Sequence, residues 1–115
     1  MRKKTIAMLA CAALVGGLSL AHAADVEKGK KLFEDPSLGG GTTGKSCATC
    51  HEDGVGLGKD LFERDHYMIM GQDKKTIEDV VNICIKVPLG GTPIDPKGSD
   101  MQDLVAYMRT LVEGK

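Results

Sequence analysis

Cys47-Ala48-Thr49-Cys50-His51 places two thiols three positions apart, with an imidazole directly after the second. The spacing C-x-x-C-H is that of covalent c-type haem attachment: each thiol adds to one vinyl group of a haem, and the adjacent histidine is held under the iron to offer it a nitrogen. Other uses of the pair account for less. A thioredoxin-type C-x-x-C needs no following histidine and sits between a strand and a helix, a context this chain lacks. Zinc would want a second ligand pair, for which Cys84 and His66 are what remain. A disulfide between Cys47 and Cys50 leaves His51 without a task. One haem c is therefore expected, with Cys47 and Cys50 as thioether anchors and His51 as proximal iron ligand.

The other axial position has several candidates. Met68 and Met70, in DHYMIMGQD, precede a helical segment and could cross the distal face. Met101 and Met108 lie on the apolar stripe of another helix, where methionine usually fills core space. His66 sits beside Glu63, Arg64 and Asp65, the company of a solvated side chain. An open site is a further option. Cys84, in VVNICIKVPLGG, reads either as a small buried hydrophobe or as a ligand. A thiol left over in an exported protein invites oxidation unless something occupies it, and iron would do so as a thiolate complex.

Export itself is read from the amino terminus. Arg2, Lys3 and Lys4 precede an apolar run from Ile6 to Leu20 and the small-residue site Ala21-His22-Ala23, the three-part layout of a secretory leader. The run is short for a membrane span, which needs about 20 apolar residues. The expectation is a signal peptide over 1–23, taking Cys11 with it, and a mature domain over 24–115 with no membrane anchor, located in the periplasm or otherwise outside the cytoplasm. Loss of the three leader cations leaves 12 basic against 16 acidic side chains, a formal charge of −4. No basic cluster is present to neutralise phosphates, so nucleic acid is not an expected partner.

Three helical segments must position these groups. Asp25 to Glu34 starts on a plausible N-cap and spaces Val26, Gly29, Leu32 and Phe33 along one side. Thr76 to about Ile85 opens on a variant capping box and carries Ile77, Val80, Val81, Cys84 and Ile85 on one face. Ser99 to about Glu113 repeats Met101, Leu104, Val105, Met108, Leu111 and Val112 at helical spacing. Between them GGGTTG, GVGLG and PLGGTPIDPKG read as loops, and no alternating run argues for a sheet. With four aromatic residues and no Trp, a domain of this size needs a cofactor or a staple to complete its core.

Taken in order, Gly29-x-x-x-Phe33, CATCH, and Tyr107 in LVAYMRTL resemble the small class I cytochromes c. The resemblance spans essentially the whole mature chain and implies an all-α fold wrapped round one covalently bound haem. In that family the first and last helices cross closely at the glycine, with the aromatics packed over the crossing. It also implies a monohaem electron carrier whose partners are redox proteins of the periplasm or the membrane. Where many members place a methionine before a proline ahead of the last helix, this chain has Thr92-Pro93.

A second resemblance covers about a quarter of the mature chain. Asn82-Ile83-Cys84-Ile85, then Pro88-Leu89-x-Gly91, then Asp95-Pro96-Lys97-Gly98 leading into Ser99, is similar to haem domains of thiosulfate dehydrogenases and thiosulfate-oxidising complexes. There the cysteine of the Asn-x-Cys segment is the distal haem ligand. Carried to this chain, it nominates Cys84 and opens an alternative function as haem subunit or enzyme of thiosulfate oxidation. One CxxCH and no basic cluster for a sulfur oxyanion favour the carrier.

Overall fold

The computed structural model describes residues 23–113. The leader expected over 1–23 therefore lies outside the described residues, apart from Ala23. Four α-helices follow one another as α1 (Val26–Glu34), α2 (Cys47–His51), α3 (Ile77–Lys86) and α4 (Ser99–Glu113), with a hairpin of β1 (Tyr67–Ile69) and β2 (Gln72–Lys74) before α3.

Helices α1 and α3 start where a side chain satisfies an exposed amide of the first turn. Asp25 Oδ1 accepts the Lys28 amide at 3.0 Å, and Thr76 Oγ1 accepts that of Asp79 at 3.1 Å. α1 and α4, at opposite ends of the domain, form its main packing contact. A β-carbon at Gly29 would collide with the carbonyl group of Asp103, so only glycine lets the two backbones approach this closely. Phe33 and Tyr107 close over the crossing edge to face, their ring centres 5.3 Å apart.

The core extends from this crossing through Phe33, Leu104, Met101 and Met108 to Ile85 and Leu89. Full burial of one such side chain contributes about 1.5–3 kcal/mol. Arg109 on α4 lays its guanidinium 4.1 Å from the centre of the Phe62 ring, fastening the turn Leu61–Glu63 to the last helix.

Two elements depart from the expectation of three helices and loops. CATCH is itself one short helix turn, opened by Ser46, whose amide donates to Thr49 Oγ1 at 2.9 Å. The fold is also mostly helical without being all-α. Tyr67 pairs with Lys74, Met68 with Asp73 and Ile69 with Gln72 in an antiparallel ladder. Its two-residue turn carries positive φ at both Met70 (50°) and Gly71 (79°), the twist that suits a tight hairpin. Among the described residues no helix is long and apolar enough to cross a membrane.

Candidate functional site

A cleft of about 200 Å³, open to solvent on one side, runs between α2, α3, the hairpin and the turn at Leu61–Glu63. Leu57, Leu61, Ile77, Val80 and Val81 make its wall largely apolar. Cys47, His51, Met68 and Cys84 line the same space.

His51 is held by its own loop. Its Nδ1–H donates to the Val55 carbonyl at 2.8 Å, which fixes the tautomer and leaves Nε2 as the nitrogen with a lone pair for a metal. Gly56 supports this arrangement: at φ +85° it occupies a left-handed conformation, and a β-carbon there would lie 3.1 Å from His51 Nδ1. The short helix carries Cys47 into the cleft wall while Cys50 lies at the surface. Burial pushes the Cys47 thiol up to about 11, with Cys84 and Cys50 adding to the rise.

Cys84 comes from a separate helix, 37 positions after Cys47. α3 presents it to the cleft next to Val80 and Val81, and burial, then the neighbouring Cys50, pushes its thiol above the ordinary range. Without a cation beside it, the sulfur is a neutral thiol at physiological pH. A coordinated metal ion is what would deprotonate it.

What holds α3 at the cleft is a residue whose part the sequence did not reveal. Asn82 donates from Nδ2 to the Ile94 carbonyl at 2.9 Å and accepts the Ile94 amide on Oδ1 at 2.8 Å. This two-bond clamp ties α3 to the loop before α4. The same loop is stitched to the glycine-rich segment near α1, where Thr92 donates its amide to Gly39 O at 2.7 Å and Thr43 Oγ1 donates to Pro88 O at 2.7 Å. Thr92, standing where a methionine ligand was looked for, is thus engaged with a neighbouring loop.

The other candidates separate by position. Met68 reaches the cleft from β1 but is 68% exposed. Met70 sits at the hairpin turn, is 51% exposed and is not among the residues lining the cleft. His66 bonds to Asp73 across the hairpin at 2.9 Å on the exposed side. Met101 is buried in the core, and Met108 is buried with one side against the cleft. Arg64 also lines the cleft, its guanidinium paired with Asp60 at 2.8 Å, an interaction that holds the Asp60 carboxyl below its usual range.

The cleft fits the group that CATCH implies. It is largely apolar, as a flat macrocycle requires, and it gathers an anchoring thiol, a tautomer-fixed imidazole and a sulfur from a separate helix. The chain is similar to L-cysteine S-thiosulfotransferase subunit SoxA of Rhodovulum sulfidophilum. The two are 28% identical over 92 residues, covering 77% of this chain and 30% of that protein. The chain thus spans under a third of the length of this curated relative. No family model and no solved structure matches it significantly.

Proposed function

We propose that residues 24–115, freed from a signal peptide over 1–23, form a monohaem c-type cytochrome domain that carries single electrons outside the cytoplasm. The observation that carries this reading is the cleft lined jointly by Cys47, His51 and Cys84. Cys47 and Cys50 would hold the haem through thioether bonds, with His51 and Cys84 as its two axial ligands. Bound in this way, haem c supplies a one-electron iron(III)/iron(II) couple.

The chain's own residues set the conditions for that couple. The bond from His51 to Val55 orients the imidazole and raises the basicity of Nε2. The apolar wall keeps water away and lowers the local dielectric. An anionic sulfur from Cys84 favours the ferric state, so the potential falls well below that of a histidine and methionine pair; axial ligand choice helps to move haem potentials across about 0.8 V. Met68 and Met70 are the alternatives. The exposure of Met68 and the turn position of Met70 speak for Cys84.

A second reading is favoured by the similarity to an L-cysteine S-thiosulfotransferase subunit. In it the domain serves thiosulfate oxidation, either as the carrier that accepts electrons from that chemistry or as a subunit of the enzyme. Its partners would then be proteins of sulfur-compound oxidation rather than general redox proteins.

Absorption and electron paramagnetic resonance spectra of the ferric protein and of Cys84→Ser test the ligand set. The expected result is a low-spin thiolate-type signal that the substitution abolishes. An unchanged signal in Cys84→Ser would sink the thiolate assignment and leave Met68 as the leading alternative. Turnover of thiosulfate with an artificial electron acceptor then separates the two readings. Thiosulfate-dependent reduction by the isolated protein, lost in Cys84→Ser, favours the enzyme over the carrier.

A further inference from the structure

Among the described residues that line the cleft, only Arg64 carries a charge that no ordinary pH removes. Its side chain is 39% exposed, which puts the guanidinium at the open mouth and not in the depth of the cleft. Its neighbours fix its direction. Nη2 donates to Asp60 Oδ1 at 2.8 Å. The guanidinium carbon stands 5.9 Å from the centre of the Tyr67 ring, and that ring is itself pinned by its hydroxyl, which donates to the Leu61 carbonyl at 2.7 Å. Gly58 leaves the room for this arrangement: a β-carbon there would lie 2.6 Å from Arg64 Nη2 and 2.9 Å from Asp60 Oδ1. An exposed ion pair contributes little to stability, so the Asp60 bond is by itself a weak reason to hold an arginine here. That bond engages Nη2 and leaves the other donors of the fork for a second anion.

We infer that Arg64 holds a propionate carboxylate of the bound haem at the mouth of the cleft and thereby raises the potential of the iron. A haem joins an apolar ring to carboxylates on one edge. The ring matches the apolar wall, and the carboxylates need water or a cation, which the cleft offers at its mouth through Arg64. The planar fork suits a carboxylate, which it can meet with parallel N–H bonds. A fixed cation disfavours the extra positive charge of the ferric state, and its pairing offsets the opposite pull of the carboxylate. Arg64 therefore acts against the thiolate proposed for Cys84. The potential is set between opposed charges from separate elements, one on α3 and one just after the turn Leu61–Glu63. This inference rests on the haem reading and does not depend on which sulfur is the distal ligand.

The haem-loaded protein and its Arg64→Gln, Arg64→Lys and Lys97→Gln variants test it by resonance Raman spectroscopy and redox titration. Haem content and intact mass come first: a wild-type protein without covalent haem sinks the haem reading and this inference with it, a failure distinct from those that follow. In Arg64→Gln the propionate bending band is expected to move. The midpoint potential is expected to fall by roughly threefold to tenfold in the reduction equilibrium constant, about 30–60 mV for one electron. Arg64→Lys keeps the charge without the fork, so it recovers most of the potential while its band stays displaced. Lys97 lies outside the cleft lining, and Lys97→Gln is expected to leave both readings at wild type. Haem-loaded Arg64→Gln with a wild-type band and potential overturns the inference, as does an equal fall in potential in Lys97→Gln. Should Arg64→Gln fail to take up haem, the Arg64→Lys band decides, and an unmoved band there overturns it. Added thiosulfate is expected to leave the wild-type band in place; a shift would assign the guanidinium to a soluble oxyanion instead and overturn the inference.

Discussion

At the scale of single residues, the site is built by constraint on a few side chains. Cys47 and Cys50 differ in surroundings although they belong to one helical turn: the first lines the cleft and the second faces solvent. His51 depends on two neighbours, the Val55 carbonyl and the space left by Gly56. Replacing Gly56 by Ala would force a β-carbon into a left-handed backbone and against the imidazole. We expect a loss of about 1–3 kcal/mol in urea unfolding, together with a shift in midpoint potential as the ring tilts. Unchanged stability and potential would show that the ring does not rely on this glycine. The two methionine candidates also separate at this scale. Met68 and Met70 are equivalent in the sequence, yet the turn separates them and leaves Met70 outside the cleft lining.

At the scale of elements, Asn82 is the residue whose loss should travel furthest. Its two bonds to Ile94 join α3 to the loop before α4. Asn82→Ala would leave the Ile94 amide and carbonyl without their partners, at a cost of about 1–3 kcal/mol. Because the clamp holds the helix bearing Cys84, the spectrum of a thiolate-ligated haem should broaden or split in the variant. Asn82→Ala with wild-type stability and spectrum would remove the clamp from the account. The long helices were legible through apolar spacing, to which α1 and α3 add a capping side chain. α2 was not, since five residues are too few to show a period. The hairpin was missed for a different reason: its second strand, Gln72–Lys74, is polar throughout and has no buried face to betray it. CATCH was legible from spacing alone, whereas the clamp joins residues 12 apart through a loop and leaves no trace in composition.

At the scale of the whole molecule, the apolar cleft is a gap in the core that the proposed haem would fill. A Cys47→Ser/Cys50→Ser variant, unable to form thioethers, is expected to keep part of its helical circular dichroism but lose cooperative unfolding; a sharp, wild-type transition in its absence of haem would show that the chain completes its core unaided. The remaining core is concentrated where α1 meets α4, and this arrangement has a temporal consequence. Among the described residues α1 packs mainly on α4, whose first residue is made 65 positions after the last residue of α1, so the pairing has to wait for that stretch. Contacts of such long sequence separation form slowly. For the exported chain proposed above, late pairing of α1 with α4 would leave the polypeptide extended for as long as transport requires.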